Sequence, residues 1–389
     1  MLTAECGLLS VRELKFRDPR RAVALVGAMR RTLDAIGRAP VSVMHVCGSH
    51  EQAIARFGLR SILPPALDVF MGPGCPVCVT DLPEVDEAVA LAKQGVRIAT
   101  YGDMLKVRGS SRSLADARAE GAAVDIVYSV SQAVELARRS REEVVFFATG
   151  FETTAVATAA VILGELPSNL TVLSAHKYIP PVMEIVAEMP DTRVEGFLAA
   201  GHAATITGWG IFEPFVARHR LPVVVAGFEP LDILAGLARL VELVRDGEPR
   251  VVNMFPRCVT KAGNLRAQEQ LWRVFRPAGG NWRGIAHVPN GNLRLRDEWA
   301  HIDARRRHRI DVASLWDEAP PALVQHCICG DIMAGIASPA HCRLFGKECG
   351  PDAPVGACMV SSEGTCRIWL QYGGRPEAAL RESATGGSS

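Results

Sequence analysis

The sequence predicts an α/β protein with two parallel-sheet α/β/α domains and a loop-rich, cysteine-containing C-terminal module. Three observations lead to this prediction. Short runs rich in Val, Ile, Leu and Phe recur between residues 40 and 229, and helix-like segments separate them. Runs that are apolar throughout are typical of parallel strands covered on both faces. From about residue 250 this rhythm fades, and six of the 11 cysteines fall between residues 327 and 366.

The expected strands divide between two sheets. The first four are expected at 40–46, 66–71, 96–101 and 124–129, and four more begin near residues 143, 169, 194 and 221. The charged stretch 137–143 is a natural boundary, so we expect one α/β domain over 35–137 and a second over 138–228. Residues 1–34 and 229–389 are expected to form a third domain that carries the cysteine module, with mainly turns over 277–292.

Composition excludes several classes of protein. Forty-three basic residues face 42 acidic ones, so net charge predicts neither a nucleic-acid nor a membrane partner. No uninterrupted apolar run is long enough to span a bilayer, and the N-terminus lacks the pattern of an export signal. We therefore expect a cytoplasmic protein. In that compartment thiols stay reduced unless they bind metal or cycle between redox states.

Polar residues follow several of the expected strands. They include Cys47, His50 and Glu51 after the first strand, and then Asp103, Glu152, His176 and His202. If the strands are parallel, these side chains should meet at one edge of a sheet. Cys47 also precedes a predicted helix, whose N-terminus favours a thiolate that can act as nucleophile or metal ligand. A buried structural cysteine beside a hydrogen-bonded histidine is the competing interpretation.

The stretch MGPGCPVC places Cys75 and Cys78 in a C-x-x-C motif directly after a strand. Such a motif near a βαβ pattern is typical of a redox dithiol. Metal ligation and a purely structural turn stay open from the residues alone, since no second ligand pair lies nearby in sequence.

The C-terminal tail carries the strongest chemical signal. Six cysteines are available there, namely Cys327, Cys329, Cys342, Cys349, Cys358 and Cys366. Four thiolates suffice for a [4Fe–4S] cluster or for structural zinc. Zinc ribbons usually pair their ligands as C-x2–4-C, and this tail has no such pair, which favours a cluster. Two thiols would then be spare, and a spare pair beside a cluster can exchange electrons with it.

These stretches together resemble one family. CGSHE (47–51), GPGCPVC (72–78), TGFETT (149–154), AGFEPLDIL (226–234), WRGIAHVPNGNL (282–293) and the tail 345–366 are similar to the HypD family. Members of that family help to assemble the Fe(CN)2CO centre of [NiFe] hydrogenases. The resemblance runs from about residue 10 to residue 370. It departs from the usual family pattern at Val156, at Cys258 and in GHAATITG (201–208), and none of these departures removes a matched cysteine.

The resemblance implies a role for each matched residue. The family's cluster pattern, C-x14-C-x6-C-x16-C, implies [4Fe–4S] ligation by Cys327, Cys342, Cys349 and Cys366. It further implies that Cys329 and Cys358 form one redox thiol pair and Cys75 and Cys78 a second. Cys47 would hold the iron of the Fe(CN)2CO unit, with His50 close to it.

The resemblance also implies partners. The small chaperone HypC would contribute a second cysteine to the iron, HypE would donate cyanide, and HypC would lead to the hydrogenase large subunit. The hypothesis is a metallocentre scaffold in which electrons pass from the cluster to Cys329–Cys358 and on to Cys75–Cys78. The alternatives are a free-standing [4Fe–4S] thiol–disulfide oxidoreductase acting on another protein, and a zinc-stabilised binding protein.

Overall fold

The computed structural model of the chain describes residues 16–310, 312 and 322–374. Four parts of the expected third domain, residues 1–15, 311, 313–321 and 375–389, lie outside the described residues. Strands and helices alternate up to residue 253, as predicted. The strands are β1 Val41–His45, β2 Leu67–Met71, β3 Arg97–Thr100, β4 Val124–Ile126, β5 Val144–Gly150, β6 Leu170–His176, β7 Phe197–Ala200, β8 Val223–Ala226, β9 Val251–Asn253, β10 Phe275–Trp282 and β11 Ala286–Leu295.

The α-helices lie mainly between the parallel strands. They are α1 Pro19–Ile36, α2 Gly48–Arg56, α3 Leu59–Ile62, α4 Pro76–Val79, α5 Leu82–Lys93, α6 Leu114–Ala119, α7 Val130–Arg139, α8 Glu152–Ile162, α9 Ile179–Glu188, α10 Gly201–Thr207, α11 Glu213–His219, α12 Pro230–Asp246, α13 Leu265–Val274, α14 Ala304–His308, α15 Cys329–Met333, α16 Ala357–Val360 and α17 Thr365–Tyr372. Short 3-10 helices cover Gly102–Lys106, Trp209–Phe212, Asp297–Ile302, Ala322–His326 and Pro339–His341. Within the described part of the chain, every helix is too short or too polar to span a lipid bilayer.

The first compact unit is built on a parallel sheet, which we call sheet 1. This unit comprises the described residues of 1–72, 191–263 and 368–389. Sheet 1 has the strand order β2-β1-β7-β8-β9, with every pairing parallel. Helices α1 and α12 place Met29, Leu33, Leu237 and Val241 in the core beside this sheet. Each such fully buried side chain stabilises the fold by roughly 1.5–3 kcal/mol.

The second compact unit contains the other parallel sheet and the cysteine module. It comprises the described residues of 73–190 and 264–367. Its sheet 2 has the order β4-β3-β5-β6, again with every pairing parallel. An antiparallel hairpin, β10–β11, joins this unit, and Ser174 on β6 donates a hydrogen bond to the carbonyl of Leu293 on β11 at 2.8 Å. The α/β fold class with two parallel sheets is confirmed.

Two expectations about organisation need correction. The boundary placed between residues 137 and 138 does not separate the two sheets, because β3 pairs with β5 across it. Sheet 1 instead combines β1 and β2 with β7, β8 and β9. Apolar runs predict where strands form but not which strands pair. The sequence pattern therefore does not show that the chain returns to sheet 1 at β7. The region 277–292 was expected to be turns and contains most of the β10–β11 hairpin.

Candidate functional site

Cys47 lies at the carboxyl edge of sheet 1. β1 ends at His45, and Cys47 is the N-cap residue of α2, with extended backbone angles of φ −157° and ψ 127°. Its Sγ lies 4.0 Å from Nδ1 of His202, at the start of α10 directly after β7. The two loops meet because β1 and β7 are parallel neighbours in sheet 1. This pairing of a thiol with an imidazole can bind a metal ion or exchange a proton.

His50 lies in the same region in a neutral form. Its Nε2 donates to the carbonyl of Gly227 at 2.9 Å, so the lone pair is on Nδ1, and Nδ1 has no hydrogen-bond partner among the described residues. Burial, with a smaller contribution from the nearby His45, lowers the pKa of His50 to about 3. A neutral imidazole with an available lone pair can accept a hydrogen bond or bind a metal ion.

The helix that Cys47 caps also carries a buried carboxylate. Glu51 is fully buried, and burial alone would raise its pKa, but the charge of Arg60 and the hydrogen bond from His45 hold the pKa at about 2. Arg60 Nη2 and His45 Nε2 each lie 2.8 Å from Oε2 of Glu51. Glu51 is therefore ionised at neutral pH, and it is held by residues that the CGSHE motif alone does not identify.

Cys75 and Cys78 form a disulfide in the second unit. Their Cα atoms are 5.3 Å apart, and both residues are fully buried. β2, the strand that precedes the motif, pairs with β1, but Cys75 itself is the N-cap residue of the short helix α4 of the second unit. Cys78 Sγ lies 4.0 Å from the carbonyl of Ala357 on α16, the helix that carries Cys358. The disulfide thus adjoins the cysteine module.

The loop that follows Cys78 is fixed by a half-buried arginine. The backbone N–H of Arg283 donates to Val79 O at 3.1 Å, and its Nε donates to Thr80 O at 2.7 Å. Burial lowers the pKa of Arg283. The β10–β11 hairpin therefore holds the carboxyl end of α4 in place.

The six tail cysteines gather in one module. Cys327 Sγ and Cys329 Sγ are 3.2 Å apart. Hydrogen bonds from the thiols of Cys327, Cys358 and Cys366 hold the pKa of Cys329 well below its usual range. Among the described residues, however, no three or more His, Cys, Asp or Glu side chains are arranged to hold a single metal ion.

Two further contacts define the space around these sulfurs. The N–H of Val355 donates to Cys349 Sγ at 3.4 Å. A Cβ placed on Gly356 would lie 2.5 Å from the sulfurs of both Cys327 and Cys329, so only glycine fits there without displacing a sulfur. Asp103, at the end of β3, accepts from Ser361 Oγ at 3.0 Å and so attaches the module to sheet 2.

The polar residues at strand ends do not share one edge, which corrects another expectation. Cys47 and His202 belong to sheet 1, whereas Asp103, Glu152 and His176 follow or end strands of sheet 2. Glu152 is fully buried, and burial raises its pKa to about 7. Its Oε1 accepts from the N–H of Ile179 at 2.9 Å, while Oε2 has no hydrogen-bond partner among the described residues.

Comparison with known proteins assigns the chain to a family. The family model named HypD, described as the hydrogenase formation hypA family, matches residues 21–373. The chain belongs to the HypD family. The match includes Cys47, both residues of the C-x-x-C motif and all six tail cysteines, so the resemblance noted from the motifs is confirmed.

Curated relatives of this HypD-family chain come from distant organisms. The hydrogenase maturation factor HypD of Azotobacter vinelandii is 40% identical over 380 residues, covering 94% of this chain and 98% of the relative. A putative hydrogenase expression/formation protein of Methanocaldococcus jannaschii is 39% identical over 357 residues, covering 91% and 96%. HypD of Cupriavidus necator is 37% identical over 373 residues, covering 92% and 96%.

Proposed function

We propose that this HypD-family chain takes part in [NiFe] hydrogenase maturation by holding the iron of an Fe(CN)2CO unit, as cargo, through the Cys47 thiolate. The placement of Cys47 carries the proposal. It occupies a strand end, 4.0 Å from His202, with the neutral His50 in the first turn of the helix that Cys47 caps. Soft thiolate suits iron that bears strong-field cyanide and carbonyl ligands. His50 Nδ1 carries no proton, so it can only accept a hydrogen bond or bind a metal ion. Its lone pair is therefore available to the cargo.

We further propose that the tail holds a [4Fe–4S] cluster through Cys327, Cys342, Cys349 and Cys366. The donor chemistry fits such a group: six thiols lie in one module, an N–H donates to Cys349 Sγ, and Gly356 leaves room beside two sulfurs. When bound, a cluster of this kind supplies single electrons.

The remaining thiols are proposed to act in pairs. Reduction of the Cys75–Cys78 disulfide takes up two electrons and two protons and breaks one S–S bond, leaving two thiols. The reductant would be a dithiol, for which Cys329 and Cys358 are the candidates, since Cys78 adjoins the helix that carries Cys358. The backbone N–H of Cys78, which donates to Cys75 Sγ at 3.2 Å, would stabilise a thiolate on Cys75.

The proposed partners follow from the family. A small chaperone, HypC, would supply a second cysteine to the iron and lead to the hydrogenase large subunit, and HypE would donate cyanide. These partners would act on the iron held at Cys47.

A second candidate function has support from one observation. The Cys75–Cys78 disulfide beside a cysteine-rich module is what a free-standing iron–sulfur thiol–disulfide oxidoreductase would also contain. The infrared spectrum of the protein, purified anaerobically with its small chaperone, separates the two functions. Cyanide and carbonyl stretching bands support the assembly scaffold. Their absence from a preparation that retains iron and sulfide would instead support the oxidoreductase.

A further inference from the structure

Glu51 accepts hydrogen bonds from side chains on three separate elements, β1, α3 and α17. His45 on β1 and Arg60 on α3 both donate to its Oε2. Trp369 on α17 donates from its indole Nε1 to the other oxygen, Oε1, at 2.7 Å. The Arg60 guanidinium also lies 5.5 Å from the centre of the Trp369 ring. A buried carboxylate needs donors on both oxygens, and Trp369 is the donor that the structure shows for Oε1.

His45 connects the Glu51 carboxylate to the backbone of Cys47. Its ring is fully buried, with Nε2 on Glu51 and Nδ1 at 3.1 Å from the backbone carbonyl of Cys47. The two ring nitrogens thus contact the carboxylate and the Cys47 carbonyl at the same time, which holds the ring on both sides. The carboxylate therefore fixes the orientation of the ring, and the ring fixes the backbone at Cys47.

We propose that Trp369 is a positioning residue for the Cys47 thiol and acts through Glu51 and His45. Without the indole N–H, Oε1 would be buried without this donor, and the carboxylate would turn to find another. His45 would then lose its fixed acceptor, and the carbonyl of Cys47 would lose its contact with the ring but keep the N–H of Glu51, at 3.3 Å, as a donor. The inference rests on the proposed function only in taking Cys47 as the iron-binding thiol.

The CGSHE motif does not reveal Trp369, because the two lie far apart in the sequence. Trp369 is 318 residues from Glu51 along the chain, and an isolated tryptophan near a C-terminus is more often part of a core. Its ring is nearly buried, so packing alone would account for its presence. The hydrogen bond to a charged acceptor is the feature that packing does not require.

The test measures alkylation of Cys47 by iodoacetamide in the full-length chain at one pH, with exposed Cys258 as the internal reference. Trp369→Phe keeps an aromatic ring beside Arg60 and removes only the indole donor. We expect it to raise the rate at Cys47 relative to Cys258 about tenfold, the effect of losing a hydrogen bond to a charged group. The matched control is Trp282→Phe, which loses an indole hydrogen bond to Gly291 O in the other unit. It should leave the ratio unchanged.

A second variant tests the same set of contacts. Glu51→Gln removes the charge at the centre of the same chain of contacts and should raise the Cys47 ratio at least as much, so it replaces Trp369→Phe if that variant does not fold. Equal Cys47 ratios in wild type and Trp369→Phe, or equal increases in Trp369→Phe and Trp282→Phe, would overturn the proposal.

The infrared bands of bound iron separate this inference from the proposed function. If the wild-type protein shows cyanide and carbonyl bands, Trp369→Phe should shift or broaden them. If the wild type shows none, the proposed function fails, while the alkylation ratio still decides whether Trp369 positions Cys47.

Discussion

At the scale of single residues, two buried glutamates of the second unit have carboxyl pKa values that are shifted in opposite directions. Burial would raise the pKa of Glu84, but the charges of Lys177, Arg294 and Arg305 hold it at about 2. No cation among the described residues offsets the burial of Glu152, and burial raises its pKa to about 7. The same side chain, equally buried, therefore depends on its neighbours for its charge.

Replacement of Glu84 should destabilise the fold. Glu84→Gln leaves the buried Lys177 ammonium, 2.8 Å from Oε2, without its counter-charge, and we expect a loss of about 3 kcal/mol in the free energy of unfolding at pH 7. The folded pKa lies below the ordinary 4.5, so this contribution is present above pH 4.5 and is lost as pH falls towards 2. Thermal unfolding at a series of pH values measures it. The control is Glu248→Gln at the surface, and equal melting temperatures for the two variants at pH 7 would contradict the account.

Glu152→Gln should have the opposite effect. Its folded pKa lies above the ordinary 4.5, so the stability it contributes is complete below pH 4.5 and is lost as pH rises through about 7. At pH 8 the variant should be more stable than the wild type by about 3 kcal/mol, and near pH 4 this gain should disappear. Chemical unfolding at both pH values measures the difference. A gain of the same size at both would show that charge is not the cause.

The sequence identified Cys47 and His50 from their place after a strand, and the structure puts them there. The motif did not identify Trp369 as a partner of Glu51 or His202 as a partner of Cys47. His202 was recognised only as a strand-end residue, because its contact with Cys47 depends on the pairing of β1 with β7. Such contacts depend on strand order, which local patterns do not encode.

At the scale of elements, the approach of α16 to the tail cysteines depends on a glycine. Gly356→Ala would place a Cβ 2.5 Å from the sulfurs of Cys327 and Cys329, so at least one sulfur must move. We expect the variant to retain less than about half of the iron and acid-labile sulfide of the wild type. Gly350→Ala is the matched control, because a Cβ there meets nothing within 4 Å. Equal iron and sulfide in both variants would show that the space beside these sulfurs is not needed.

Helix α4 permits a test of the proposed thiol relay. Cys75→Ser prevents the disulfide with Cys78 but removes none of the four proposed cluster ligands. We expect it to retain the visible absorbance of the proposed cluster and to lose the Cys75–Cys78 disulfide that mass spectrometry should detect in the wild type. Loss of the absorbance in Cys75→Ser would mean that Cys75 belongs to the cluster site.

The β10–β11 hairpin shows where element prediction reached its limit. Its strands contain Pro277, Gly279, Gly280, Pro289 and Gly291, which are typical of turns. The hairpin forms because β11 packs beside β6, where Ser174 donates to Leu293 O, and because Trp282 is buried. Tertiary packing therefore overrides local preference in this segment.

At the scale of the whole molecule, the sequence predicted the α/β class, the two parallel sheets and the loop-rich cysteine module. It did not predict which strands share a sheet. The chain leaves sheet 1 after β2, completes sheet 2, and returns at β7, so each compact unit combines segments from distant parts of the sequence. The return at β7 also brings His202 to Cys47, and it therefore decides the composition of the proposed iron site.

The most direct test of that site is an infrared spectrum of Cys47→Ala, purified anaerobically with the proposed small chaperone beside the wild-type protein. We predict cyanide and carbonyl bands in the wild type and none in the variant, while the iron and sulfide expected from the proposed tail cluster stay equal in both. Undiminished bands in Cys47→Ala would contradict the account, because the iron would then be held by another residue.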